Sequence, residues 1–327
     1  FHLDSEHTDM PGFPLFALFT LAMGMTSVVP DMDPGAPAKC DPAKLVATLI
    51  DQRVTFAAGS PAIWERVGRH CAEKGIVLPY LKSVVMFGAP VRGEIHALWR
   101  PLIPNGTTYA PYGATECLPI AFERGDRLLE HWPANLRGEG ICLGPVVAGM
   151  NVTIDASADI PNGYPVGVGE ILVQGPTVTA EYFARPEATA AAKIAHPAGL
   201  IHRMGDVGYL REGQLWFCGR KAHVVVTEDT SFYPIPVEGV FNAHPDVRRS
   251  ALVAIEVAGK IAPALAVELR RERRWAEVEA ELRALGAAWP HTRAIARFFP
   301  HPGFPVDVRH NIKIDRTALS RWAREQA

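Results

Sequence analysis

In the first third of the chain, short solid apolar runs alternate with stretches of helical periodicity. Val54–Ala58 and Val84–Phe87 are continuous apolar runs, the length and texture of strands covered on both faces. Between and beside them the period changes. After Asp41-Pro42, Leu45, Val46, Leu49 and Ile50 recur as one helical face. Ser60-Pro61 supplies a cap and a proline at the first helical position, and Gly75 ends that helix. A third helix is predicted from about Gly93 to Arg100. Alternation of this kind predicts an α/β layer, a largely parallel sheet with helices on its faces. Residues 13–30 are almost wholly apolar. They predict a buried helix running into a strand at Thr26–Val29, followed by a turn at Asp31–Pro34.

From about Gly138 the pattern shifts. Glycine and proline rise, Val152 and Ile154 alternate with polar neighbours, Pro161-Asn162-Gly163 is a turn, and Gly169–Gly175 is a strand between turns. A small antiparallel sheet or barrel is expected over 138–219, interrupted by a short helix at Pro186–Lys193. After Arg220 a third texture begins. It comprises a short strand at 224–226, a helix at Pro236–His244, and a hairpin of Ser250–Val257 and Ile261–Leu269 turning at Gly259-Lys260. An amphipathic helix at Arg271–Ala287 presents Trp275, Val278, Leu282 and Leu285, with Arg271–Arg274 as its solvated start. A strand near Arg297–Phe299 and a terminal helix at Arg316–Arg324 complete a small α+β domain. The expected domains are therefore 1–137, 138–220 and 221–327.

Composition narrows the class. The formal charge is -2 over 327 residues, which lacks the basic footprint of a nucleic-acid binder. The five cysteines at 40, 71, 117, 142 and 218 form no Cys-x-x-Cys pair or His/Cys cluster. This predicts a reducing, cytoplasmic setting and no structural zinc. Within the uncharged stretch bounded by Asp9 and Asp31, the apolar run Pro14–Pro30 has 17 residues and is short for a membrane span.

Candidate chemistry gathers in Tyr109-Ala-Pro-Tyr-Gly-Ala-Thr-Glu116, after a short β-like run. Tyr112 offers an aromatic face, Gly113 a close backbone approach, Thr115 a hydroxyl and Glu116 a hard carboxylate suited to Mg²⁺ against a phosphate. The alternative is an ordinary strand exit with a solvated glutamate. Gly88-Ala89-Pro90 closes a buried strand, where ligands of open α/β sheets bind; it also reads as a plain turn. Asp206 sits between glycines and suits the two hydroxyls of a ribose or a local Asx turn. Arg220, at the change of texture, suits a ribose clamp or a linker charge. Lys313, between Ile312 and Ile314, is either a partly desolvated charge or a snorkelling surface lysine. Gly-x-Ser-x-Gly, the Gly-x-x-x-x-Gly-Lys-Ser/Thr loop and the Rossmann fingerprint are absent from the sequence.

In their order and spacing these segments resemble the adenylate-forming superfamily of acyl-CoA synthetases, luciferases and peptide-synthetase adenylation domains. Tyr112-Gly-Ala-Thr-Glu116 is similar to its Tyr-Gly-x-Thr-Glu, Gly88-Ala89-Pro90 to its adenine-side Gly-Ala-Pro, and Gly169–Pro176 to its Gly-Glu-Leu-x-Val-x-Gly-Pro strand. Gly205-Asp206 with Gly208 resembles its ribose motif. Gly219-Arg220 resembles the arginine before its hinge, which falls at about Ala222 here. Pro236–Pro245 resembles the opening of its C-terminal domain, and Lys313 its C-terminal lysine. Within the superfamily, Phe13–Phe19, Val29–Pro34, Phe241–Pro245 and His310–Arg316 resemble the β-lactone synthetases of bacterial olefin biosynthesis.

The resemblance implies an α/β adenylate-forming fold: a layered large domain, a small β-barrel subdomain and a mobile C-terminal domain. It implies ATP and Mg²⁺ as cofactors, with Mg²⁺ on Glu116. Gly88, Ala89, Pro90, Tyr112, Gly113, Thr115, Asp206, Arg220 and Lys313 would hold the nucleotide, and Thr115, Glu116 and Lys313 would act in catalysis. The implied substrate is a long-chain 3-hydroxy acid, activated as an acyl-adenylate and closed by its own hydroxyl to a β-lactone. Other enzymes of the hydrocarbon pathway are the implied partners, with no nucleic acid. Two other readings stay open: a long-chain acyl-CoA or acyl-AMP ligase, and a non-catalytic interaction module. Two departures accompany the resemblance. The family's phosphate loop is not in this sequence and is expected upstream of Phe1. Ala222 and Ala17 stand where relatives carry Asp or Lys and His.

Overall fold

The computed structural model describes residues 1–156, 163–306 and 314–326. The chain forms two compact units. One holds Phe1–Tyr112 and Phe122–Glu130; the other holds Gly113–Ala121, His131–Pro305 and Ile314–Ala327.

The first unit is built on a sheet whose strands run in the order Thr26–Ser27, Thr8–Pro11, Phe56–Gly59, Ser83–Met86, Thr107–Ala114 and Cys117–Arg124. The first four pairings are parallel, as strand–helix alternation predicts. Helices Pro42–Asp51, Pro61–Lys74 and Gly93–Trp99 connect them. Their ends follow local chemistry. The Asp41 carboxylate accepts from Ala43 N, the Ser60 hydroxyl from Ala62 N, and Gly75 takes the left-handed φ of 65° that closes its helix. Leu45, Val46, Leu49, Val67, Val84, Met86 and Trp99 lie in one core, where the Trp99 indole N–H donates to the Trp64 carbonyl. Ile50, expected on the buried face, is exposed. It lies about 140° round the helix from Leu45, beyond the stripe that the sheet covers.

A larger departure concerns residues 13–30. A 3₁₀ turn at Pro14–Phe16, a short helix at Ala17–Ala22 and a strand of only Thr26–Ser27 replace the expected buried helix and longer strand. Ala17, Thr20 and Met25 are buried, whereas Leu15, Leu18, Phe19 and Val29 are 64, 63, 60 and 70% exposed. Apolarity measures the gain from being covered; it does not supply the cover. The strand Thr8–Pro11 was not anticipated, nor was the course of the chain after Tyr109. Thr107–Ala114 runs as a strand through Tyr112 into Cys117–Arg124, and a helix at Gly125–Leu136 follows.

The second unit contains an antiparallel sheet in the open order Ile141–Pro145, Gln214–Arg220, Ile201–Arg211, Gly169–Gln174, Asn151–Asp155, matching the change of texture near Gly138. The helix Pro186–Ala192 leads into a two-residue strand, Lys193–Ile194, that pairs with Ile201–Arg211. Of the expected turn at 161–163, Pro161 and Asn162 lie outside the described residues. A second sheet pairs Val247–Val257 with Lys260–Leu269 through the two-residue turn Ala258-Gly259, both at positive φ. Arg297–Pro300 adds a parallel strand. Helices Pro234–Asn242 and Trp275–Ala287 pack Val237, Phe241, Val278 and Leu282 against this sheet. Arg271–Arg274 is more than a solvated helix start: Arg271 and Arg273 both pair with the buried Asp246. All five cysteines are free and buried. No helix among the described residues is long and apolar enough to cross a membrane.

Candidate active site

In the first unit, the chain leaves the strand Ser83–Met86 through Phe87 and Gly88, whose φ of 92° needs glycine. The Phe87 amide donates to the Gly59 carbonyl, so Gly88-Ala89-Pro90 stands at the carboxyl ends of adjacent parallel strands. Gly88 and Pro90 are exposed there. Phe87 packs against Phe13 and Phe16 in tilted contacts at centroid distances of 5.6 and 4.7 Å. The sequence reading did not single out Phe87; the alternation of apolar run and Gly-Ala-Pro marked only the strand end. Tyr112 lies half-buried on the strand Thr107–Ala114.

In the second unit, the chain reverses between Ala114 and Cys117. A Cβ added to Gly113 would lie 2.7 Å from Leu118 Cδ1 and 2.8 Å from the Cys117 carbonyl oxygen, so the reversal admits only glycine there. Thr115 is exposed and Glu116 half-buried. The Glu116 carbonyl accepts from Thr179 N at 2.9 Å, and its Oε1 accepts the Tyr182 hydroxyl at 2.7 Å. Desolvation works against the charged carboxylate. The Tyr182 hydrogen bond, a hydrogen bond from the residue's own amide and the nearby charges of His202 and Lys193 outweigh it and hold Glu116 below the ordinary carboxylate range. The same contact, after burial, pushes the Tyr182 phenol up to about 12, so the tyrosine is the donor.

Asp206 and Arg220 meet across paired strands, in register, with Nε to Oδ1 at 3.2 Å. Asp206 is buried, and Gly205 before it has φ 64°. The Arg220 side chain also donates to the Met204 carbonyl. Lys221 and Arg203 reach the buried Glu170 at 2.8 and 2.6 Å, which ties the residue before Ala222 to the Gly169–Gln174 strand. Lys313 lies outside the described residues. A cavity of about 530 Å³ is lined by Ala222–Val225, Leu252–Ala254 and the terminal helix from Arg316 to Glu325; among the described residues, none of the predicted site residues lines it. Tyr182, Lys193 and His202 around Glu116 escaped the sequence reading, because contacts across 66 to 86 positions leave no local pattern.

The fold and these motifs define a class, the adenylate-forming enzymes. The chain superposes on the amide bond synthetase McbA from Marinactinospora thermotolerans with a TM-score of 0.78 and 25% identity, over 97% of this chain and 62% of that one. It superposes on the O-succinylbenzoate coenzyme A synthetase of Bacillus subtilis, solved with ATP and a magnesium ion, with a TM-score of 0.75 and 21% identity, over 97% and 62%. The sequence profile of the AMP-binding enzyme family matches residues 11–183, and the chain belongs to that family. It is 46% identical to an olefin beta-lactone synthetase of Xanthomonas campestris pv. campestris over all of this chain and 61% of that protein. It is 44% identical to one of Stenotrophomonas maltophilia over 99% and 61%. The chain thus spans about three fifths of the length of the curated relatives it matches.

Proposed function

We propose that this chain is the nucleotide- and acyl-activating part of a β-lactone synthetase acting on long-chain 3-hydroxy acids in the cytoplasm. The observation that carries this reading is the full-chain identity to two olefin beta-lactone synthetases. Further support comes from an ionised Glu116 held by Tyr182 in the motif the family uses for ATP.

A carboxylate is unreactive toward acyl transfer because its oxygen is a poor leaving group. Its attack on the α-phosphorus of ATP forms the acyl–adenylate bond and breaks the bond to pyrophosphate. Two anions must meet, so the site has to supply cations and fixed donors. Gly88-Ala89-Pro90 and Tyr112 line the adenine, Gly113 lets the backbone approach the nucleotide, Asp206 and Arg220 engage the ribose, and Thr115 holds the α-phosphate. Lys313 brings an ammonium to the reacting oxygens. The substrate's 3-hydroxyl oxygen then attacks the acyl carbon, AMP departs, and the hydroxyl proton leaves to solvent. Because the nucleophile is tethered, no second substrate is required. The aromatic surface of Phe13, Phe16 and Phe87 suits an alkyl chain.

The residues present fit a divalent cation. The Glu116 carboxylate accepts the Tyr182 hydroxyl and its own backbone amide, which leaves lone pairs for a cation, and Mg²⁺ usually takes one or two carboxylates plus phosphate oxygens. Bound on Glu116, Mg²⁺ would neutralise phosphate charge. Neighbouring enzymes of the hydrocarbon pathway would supply the hydroxy acid and consume the lactone.

The test is incubation of the full-length gene product with a long-chain 3-hydroxy acid, ATP and Mg²⁺ without coenzyme A, read by NMR and mass spectrometry. A four-membered lactone and AMP are expected. Acyl-adenylate that turns over only on adding coenzyme A would replace this reading with an acyl-CoA ligase. Absence of ATP consumption would leave an interaction module.

A further inference from the structure

Lys193 is 9% exposed, buried where lysines usually extend to water. No carboxylate lies within ion-pair distance of it among the described residues. Its Nζ donates to the Thr179 hydroxyl at 3.2 Å and sits 6.0 Å from the centre of the Tyr182 ring. An ammonium held this way is costly unless a nearby charge compensates it. The end of the seven-residue helix Pro186–Ala192 supplies a little negative potential. The fixed charge that acts on Lys193 is Glu116, and each appears in the other's electrostatic surroundings.

The links close on one carboxylate. Thr179 takes Lys193 with its hydroxyl and gives its amide to the Glu116 carbonyl. Tyr182 donates its hydroxyl to the Glu116 carboxylate and its amide to the Thr189 hydroxyl oxygen. The pairing of Lys193 with His202 fixes the lysine backbone. The arrangement orients the carboxylate, leaves it lone pairs for a cation and places a monovalent cation nearby. Resting on the reading of Glu116 as the metal-holding residue, we propose that Tyr182 and Lys193 are its positioning residues. Tyr182 fixes the carboxylate for the divalent cation. Lys193 balances its charge beforehand, so that the cation is held weakly alone and well only together with the triphosphate.

The test is Mn²⁺ binding to the full-length gene product by EPR, with and without ATP, alongside AMP binding by calorimetry. Tyr182→Phe keeps the ring and removes the donor. It should weaken Mn²⁺ binding with ATP about tenfold and leave AMP affinity within about twofold. Lys193→Met should tighten Mn²⁺ binding without nucleotide about fivefold, while Lys193→Arg should match the parent. Shifts of both Tyr182→Phe and Lys193→Met in the same direction, or no shift in either, would overturn the proposal. If Lys193→Met does not fold, Tyr182→Phe alone decides it. Glu116→Gln separates the two layers. If it leaves Mn²⁺ binding with ATP unchanged, Glu116 is not the metal holder and both readings fall. If it abolishes that binding while Tyr182→Phe does not shift it, only the positioning proposal falls.

Discussion

Gly113 and Glu116 occupy the same reversal, and each is fixed for a different reason. Glycine is required because any Cβ at 113 would meet Leu118 and the Cys117 carbonyl. Gly113→Ala is therefore expected to cost about 1–3 kcal/mol of stability and to weaken AMP binding at least tenfold, as read by thermal unfolding and calorimetry. Glu116 is held by Tyr182, a contact that local sequence did not announce. At Lys313 the expectation rests on the motif. Lys313→Ala should slow acyl-adenylate formation roughly 100-fold if the lost contact is worth ~3 kcal/mol, with AMP affinity kept within a few-fold. Pyrophosphate exchange against calorimetry separates the two. An unchanged exchange rate would remove Lys313 from the chemistry. The asymmetry between Gly88 and Tyr182 shows what was legible. A strand end with a glycine is written in adjacent letters, while a hydroxyl that arrives 66 positions downstream is not.

At the scale of elements, caps and periodicity were readable, and attachment was not. Asp41, Ser60 and Gly75 bound their helices as their chemistry requires. The terminal helix Arg316–Gln326 was also expected, but its anchor was not. Arg316 forms a two-pronged pair with Glu238 at 2.6 and 2.9 Å, and Glu238 also accepts from Leu252 N. Both side chains are largely buried, at 13 and 7% exposure. Removing one partner of such a pair leaves a charge stranded. Glu238→Gln should destabilise the protein by about 3 kcal/mol, measurable by urea denaturation, and the double change Glu238→Gln with Arg316→Met should recover much of that loss. Additive losses would show that the pair is not the anchor. The apolar helix Ala17–Ala22 illustrates the converse: its hydrophobicity was plain, yet Leu18 and Phe19 face outward.

For the molecule as a whole, one buried and two half-buried histidines set the response to acid. His96, with its Nδ1 2.6 Å from the Thr108 hydroxyl, is driven by desolvation down to about 4. His291 and His223 shift the same way through burial first, down to about 4. A histidine whose folded pKa lies below its unfolded value contributes stability above pH 6.5 and loses it as pH falls toward 4. Asp9 opposes this, since burial raises its carboxyl to about 6; its contribution is present in acid and lost as pH rises through 6. Three histidines outnumber one aspartate, so stability should fall between pH 6.5 and 4. His96→Asn, which retains a group near Thr108, should reduce that fall by about 2 kcal/mol in urea titrations at pH 7 and pH 4.5. An undiminished fall would show that His96 is not buried neutral.

The sequence by itself determined the alternation of strands and helices, the change of texture near Gly138, the capped helix ends and the order of the nucleotide motifs. These depend on neighbours within a turn or a hairpin, so adjacent residues specify them. Tertiary structure alone decided that Tyr182 and Lys193 surround Glu116, that Arg316 closes on Glu238, that Arg271 and Arg273 serve Asp246, and that the apolar stretch after Phe13 stays largely exposed. Each requires a partner brought in by the path of the chain. The free energy of a charge or an apolar surface is set by what covers it.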